Sequence, residues 1–192
     1  MKPLPKSFYA RETVQVARDL LGKRYHRKIG DTIVSGYIIE TEAYRSDDEA
    51  CHAYKGLTKR TAPLFGHVGQ TYVYICYGIH YCLNIVARDS TCLAGGVLIR
   101  ALYQHTSDQK GGMHIIGPGK LAKSLSITTE HIGIPVIDDS SELIITDAPR
   151  VPDSLVNITP RIGISKGTDK LWRFSYDPED VQPRDEPDLD RL

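Results

Sequence analysis

The sequence predicts a single α+β domain: a mixed, largely antiparallel β-sheet core with surrounding helices and one protruding β-hairpin. Three observations point there. At 192 residues, 41% apolar and 25% charged, the chain has the size and composition of one globular domain with a sizeable core. Short runs rich in β-branched and aromatic residues recur between glycine-bearing turns, while helical periodicity is confined to short stretches. No run approaches the roughly eighteen apolar residues of a membrane-spanning helix, so none is expected.

The elements follow in order. The opening MKPLPKSFYARET lacks the apolar core of a secretory signal, which points to an intracellular protein. Ala10 to Leu21 reads as an amphipathic helix, with Val14, Ala17, Leu20 and Leu21 on one stripe and Gly22 as its stop. Lys23 to Ile29 and Thr32 to Tyr44 are strand-like, joined by Gly30-Asp31, a good two-residue hairpin turn. Asp47 to Ala62 is polar and irregular, a surface loop or short helix. The stretch GQTYVYICYGIHYCLNIV, Gly69 to Val86, organises the chain: Tyr72 to Cys76 and Tyr81 to Val86 flank a Tyr77-Gly78-Ile79-His80 joint and read as a hairpin. Gly96 to Tyr103 reads as a buried strand. Gly117-Pro118-Gly119 opens a short helix over Lys120 to Ser126. Glu142 to Thr146, Arg161 to Ser165 and Leu171 to Tyr176 are further strands. There is no internal repeat and no linker before Asp177. Residues 1–176 therefore form one expected domain, and 177–192 an acidic, Pro-rich tail whose composition predicts flexibility.

Formal net charge is zero, which on its own argues against a nucleic-acid partner. Its distribution offsets that argument. The first thirty residues carry Lys2, Lys6, Arg11, Arg18, Lys23, Arg24, Arg27 and Lys28 against Glu12 and Asp19, while the tail concentrates acidic residues. The cysteines Cys51, Cys76, Cys82 and Cys92 form no C-x-x-C pair and have no ligand-like His spacing, so no metal site is expected. They read as reduced thiols, with Cys76 and Cys82 in the core.

Polar residues that break the pattern carry the functional information. A period of two on GYIIETEAY puts Glu40, Glu42 and Tyr44 on one strand face. Two such glutamates form either a solvated outer face or carboxylates held beside a pocket and suited to base catalysis. Arg100 shares a face with Leu98 and Leu102 inside an apolar run, and a buried arginine requires a carboxylate close by. Asn84, between Leu83 and Ile85, ties down backbone or reads a ligand edge. His52, in the polar loop, is either structural or a ligand contact. The hairpin tip presents Tyr77 and Ile79, large and apolar, where water favours Asn, Asp or Gly. Such a tip packs under a loop or enters a base stack in a DNA groove. Gly117-Pro118-Gly119-Lys120 is no P-loop, because no glycine sits five residues before Gly119 and Leu121 replaces Ser or Thr. It is either an ordinary helix start or an amide cradle for a backbone phosphate.

In sequence order, ETEAY (Glu40 to Tyr44), DEACH ending at His52, YVYICYG (Tyr72 to Gly78), CLN ending at Asn84, VLIRAL around Arg100, GPGKL (Gly117 to Leu121) and RIG (Arg161 to Gly163) together resemble the alkyladenine DNA glycosylase family, the methylpurine type of 3-methyladenine DNA glycosylase. The resemblance covers most of the chain, from the first helix to about Tyr176, and tips each open alternative toward its functional side. It implies a fold similar to the C-terminal tRNA-binding domain of methionyl-tRNA formyltransferase. It implies Glu42 as the general base that activates water, with Arg100 holding that water and Glu42. Tyr44, His52 and Tyr74 would sandwich a flipped base, and Asn84 would oppose the 2-amino group of normal guanine. Tyr77, with Ile79 beside it, would fill the hole in the stack; Gly119 and Lys120 would meet the DNA backbone. The segment GLTKRTAPLFG departs from the family pattern, lacking a typical arginine–asparagine pair.

The resemblance thus implies a monomeric, monofunctional enzyme of base excision repair. Its partner would be double-stranded DNA bearing damaged purines, and it would need no cofactor. The competing reading is a nucleic-acid clamp without chemistry on the same scaffold. Glu42 with Arg100 separates the two, because a mere binder does not require them.

Overall fold

A computed structural model describes residues 1–105 and 112–180. Two short helices, α1 (Lys6–Tyr9) and α2 (Thr13–Leu20), precede strands β1 (Arg24–Ile29) and β2 (Thr32–Arg45). After α3 (Ala62–Phe65) come β3 (Thr71–Cys76), β4 (His80–Val86), β5 (Gly95–His105) and β6 (Gly112–Ile116). Helix α4 (Pro118–Ser124) leads to β7 (Leu143–Thr146), β8 (Asn157–Thr159) and β9 (Arg173–Ser175). The α+β expectation holds, with one antiparallel sheet in the order β3-β4-β5-β2-β1-β7.

Two long strands carry the sheet. β2 pairs with β5 along residues 36–45, and its other edge takes β1 and then β9 in series. The far edge of β5 takes β4 and then β6 in the same way. The β2–β5 ladder loses register between Ile38 and Thr41, leaving Ile39 and Arg100 without opposite partners. Such a bulge bends the strand and re-aims side chains, and it falls at the two glutamates. The apolar face of α2 (Val16, Ala17, Leu20) is fully buried, and Thr41 Oγ1 donates to Ala17 O at 2.8 Å, locking helix to sheet. Helix α4 closes over β4 and β5. A Cβ on Gly119 would meet His80 Cβ at 3.0 Å, so glycine permits that approach.

Several boundaries differ from expectation for local reasons. The helix expected from Ala10 starts, as α2, at Thr13 because Glu12 Oε2 accepts the Gln15 N–H at 2.8 Å and caps it there. The α4 helix begins at Pro118 and ends by Ser124, a proline at its first position being well suited to a helix start. Arg161 to Ser165 is not a strand. The Ile162 N–H is spent on the Glu42 carboxylate at 2.7 Å, and the Arg161 side chain is buried, so this backbone runs as a loop. β6 and β8 are short pieces that the sequence reading does not contain. Cys82 is buried as expected, but Cys76 is only half-buried because it lies beside the exposed turn of the hairpin. Of the acidic tail, residues 177–180 are described and end in a 3₁₀ turn, Pro178–Asp180; the rest lies outside the described residues.

One buried polar site yields a stability test. His26 Nδ1 meets Ser35 Oγ and Nε2 meets Thr146 Oγ1, both at 2.9 Å, bracing β1 to both neighbours. Burial, and then the nearby Arg24 charge, lower its pKa from 6.5 to about 4. Between those pH values the unfolded chain binds a proton that the folded chain does not. Stability therefore falls as pH drops through this window, by up to about 3 kcal/mol. Urea unfolding between pH 7 and pH 4 should show that loss, and His26→Gln should flatten the slope.

Candidate active site

β2 and β5 place three charged groups on one face of the sheet. Glu42 is fully buried and Glu40 nearly so. Arg100, reaching across from β5, donates through Nε to Glu40 Oε1 at 3.1 Å and through Nη1 to Glu42 Oε2 at 3.3 Å. The carboxylate required beside Arg100 is thus present twice. Arg173 on β9 adds a contact to Glu40 Oε1 at 2.5 Å. Glu42 is further held by the Tyr44 hydroxyl on Oε2 and the Ile162 N–H on Oε1, each at 2.7 Å. Burial first, and then the Glu42 charge, push the Tyr44 pKa up, so its hydroxyl stays a donor. Glu42 thus accepts from a guanidinium, a hydroxyl and a backbone N–H.

In front of this group lies a cavity of about 700 Å³, whose wall includes Tyr44, His52, Tyr74, Asn84, Arg100 and Tyr77. Glu42 does not itself line it; the carboxylate is set back behind Tyr44 and Arg100, which do. The His52 and Tyr74 rings meet edge to face at 4.6 Å. His52 Nε2 lies 3.3 Å from Arg60 Nη2, and Nδ1 lies 3.1 Å from the Tyr72 hydroxyl. Since a guanidinium only donates, Nε2 accepts and Nδ1 carries the proton. Burial, and then the Arg60 charge, lower the His52 pKa and keep the ring neutral. Asn84 spends its amide N–H groups on the carbonyls of Tyr72 at 3.1 Å and Cys82 at 3.3 Å, which fixes its orientation on the wall. Among the described residues no group of three or more His, Cys, Asp or Glu side chains is arranged to hold a metal ion.

The hairpin tip stands beside the cavity. Tyr77 is 86% exposed and Ile79 74%, so among the described residues nothing covers the tip. Tyr77 has φ of +51° and Gly78 +73°. Left-handed backbone in a bulky residue is strained by about 1 kcal/mol or more, and here it turns the Tyr77 ring outward. Gly119 and Lys120 stand apart from this group: Lys120 is exposed on the first turn of α4, and only its neighbour Pro118 reaches the cavity.

The family model described as Methylpurine-DNA glycosylase (MPG) matches residues 7–180. The chain belongs to the methylpurine-DNA glycosylase family. Relatives of similar length agree. A protein of Chlorobaculum tepidum is 40% identical over 186 residues, covering 90% of this chain and 87% of its own length. One of Ehrlichia ruminantium is 42% identical over 179 residues (89% and 87%). One of Sodalis glossinidius is 45% identical over 174 residues (89% and 95%). All three bear the name "Putative 3-methyladenine DNA glycosylase". As a methylpurine-DNA glycosylase family member, the chain is a DNA-repair hydrolase of N-glycosyl bonds.

The sequence reading did not single out Tyr72, Arg60, the Ile162 N–H or Arg173. Tyr72 was visible in the tyrosine cluster and Ile162 in the RIG motif. Arg60 lies in GLTKRTAPLFG, read only for its departure from the family pattern, and Arg173 in a segment with no anomaly. Arg100 is the site's structural keystone as well. Arg100→Met should lower stability at neutral pH by about 3 kcal/mol, because Glu42 loses the one cation paired with it among the described residues. Unchanged urea unfolding would contradict that pairing.

Proposed function

We propose that this chain is a monofunctional glycosylase that extrudes alkylated or deaminated purines from duplex DNA and hydrolyses the N-glycosidic bond with water activated by Glu42. The observation that carries this reading is the buried Glu42 carboxyl group, hydrogen-bonded to Arg100, Tyr44 and Ile162 N–H, directly behind an aromatic cavity.

An enzyme that works on a base inside a duplex must extrude it, and unstacking costs a few kcal/mol, least for damaged or mispaired bases. Tyr77, held outward at the tip with Ile79 beside it, offsets part of that cost by filling the vacated step. Tyr44, His52 and Tyr74 then stack on the extruded base, and their faces favour electron-poor purines such as 3-methyladenine and 7-methylguanine. Asn84, locked by its two carbonyl contacts, faces the purine edge and opposes a 2-amino group. Gly119 and Lys120 at the start of α4 meet the backbone.

Ordinary glycosidases use two carboxylates, one of them protonating the leaving group. A cationic alkylpurine already leaves readily, so one base suffices. Glu42 takes a proton from water as it attacks the anomeric carbon, and Arg100 holds both in line. Neutral lesions, hypoxanthine and ethenoadenine, additionally require protonation of the base. No amine attacks the sugar, so borohydride should trap no enzyme–DNA adduct.

Single-turnover excision from a duplex carrying one hypoxanthine tests this. Wild type should release the base, and Glu42→Gln should lose about 10²- to 10⁴-fold in rate while still binding the lesion. Full activity in the variant would sink the mechanism. Equal lesion binding by both proteins, with no release of any alkylated base, would favour the non-catalytic clamp.

The zero net charge implies few phosphate contacts to spare. Affinity for undamaged duplex should therefore be weak and should fall between roughly 50 and 200 mM salt, linearly in log–log form with the shallow slope of a few phosphate contacts. A salt-independent affinity would contradict phosphate contact by the α4 start and the basic residues.

A further inference from the structure

Behind Tyr44 lies a buried ionic node that the mechanism above does not use. The Arg161 side chain is fully buried. Its Nη1 donates to Asp48 Oδ2 at 2.6 Å and to Ala43 O at 2.9 Å, and Nη2 donates to Gly167 O at 3.2 Å. The guanidinium carbon lies 4.8 Å from the Tyr44 ring centre and 5.1 Å from that of Trp172. Asp48, also fully buried, receives Lys170 Nζ on its other oxygen at 3.0 Å. Gly167, at φ +59°, closes the loop over the pair; a Cβ there would lie 2.5 Å from Asp48 Oδ1.

The contacts of this node reach three parts of the site. Arg161 supports the face of Tyr44 and the carbonyl of Ala43 beside it on β2. It is covalently next to Ile162, whose N–H holds Glu42 Oε1. Asp48 O accepts the Cys51 N–H at 2.9 Å, at the start of the 3₁₀ turn His52–Lys55. A solvated brace would need none of this. A guanidinium is suited to it because its planar fork bonds in two directions while its faces stack on rings, and a lysine offers only a point charge.

We propose that the Arg161–Asp48 pair is a positioning node for the glycosylase reaction, setting the register of Tyr44, His52 and the Ile162 N–H so that Glu42 is aligned with the attacking water and the anomeric carbon. The inference rests on the glycosylase reading above. A misplacement of about 1 Å at a reacting centre costs on the order of 100-fold in rate. The node should therefore govern the chemical step far more than it governs lesion binding.

The test is Arg161→Lys against wild type on a hypoxanthine duplex, with single-turnover rate and lesion-duplex Kd measured separately. The expected result is a rate lowered about 100-fold with Kd changed far less. Unaltered rate and Kd, with only a lower Tm, would overturn the proposal and leave a structural ion pair. A parallel loss in rate and affinity would overturn it too, since the node would then serve binding. If Arg161→Lys does not fold, Lys170→Met keeps the Arg161–Asp48 pair but removes its second cation. That variant should lose about threefold to thirtyfold in rate at similar Kd, and a wild-type rate there would overturn the proposal. No base release by wild type would fell the glycosylase reading, and this inference with it.

Discussion

Two glutamates on one face of β2 cannot both be buried as anions without a cation between them, and Arg100 is that cation. Its Nε serves Glu40 and its Nη1 serves Glu42, so one side chain joins the two longest strands of the sheet. Removing either partner would leave a charge stranded in a low-dielectric interior, which costs several kcal/mol. The register break at Ile38–Thr41 follows from the same requirement. A regular ladder would place a residue opposite Arg100, and the bulge leaves it unopposed, with its guanidinium between the carboxylates.

From that pairing the remainder of the site can be traced outward. Glu40, doubly held by Arg100 and Arg173, is a structural anchor that ties β9 to β2. Glu42 differs: its contacts come from Arg100, from the Tyr44 hydroxyl and from the Ile162 N–H, and all three of those residues line the cavity. Identical side chains two residues apart thus take different roles because their partners differ: two arginines hold Glu40, and residues of the cavity wall hold Glu42. The hairpin is the complement of this buried charge. Its exposed Tyr77 and Ile79 are the least satisfied large apolar groups beside the site, and strained backbone at Tyr77 holds the ring there.

Much of this was legible in the sequence. Period-two alternation put Glu40, Glu42 and Tyr44 on one face, and an arginine in an apolar run required a carboxylate neighbour. Glycine-bounded tyrosines marked the hairpin. What the sequence could not display was long-range pairing of short segments. β6 and β8 are edge pieces of five and three residues, whose pattern is too brief to read. RIG resembled a strand because its alternation is apolar, but the Ile162 N–H bonds a side chain from β2 instead of a neighbouring strand. The Asp48–Arg161 pair joins residues 113 apart in sequence, a separation that no local periodicity encodes. Family resemblance supplied the roles of these residues; physical chemistry explains why such roles need burial, a cation and a rigid N–H.

The central claim is that a Glu42-aligned water attacks the sugar directly, from the face opposite the departing base. Its most direct measurement is excision of an alkylated purine in aqueous methanol, followed by stereochemical assignment of the methyl glycoside formed at the anomeric carbon. Direct attack by a solvent nucleophile predicts a product of inverted configuration. Retained configuration, or an enzyme-bound sugar, would mean two displacements and would contradict the account.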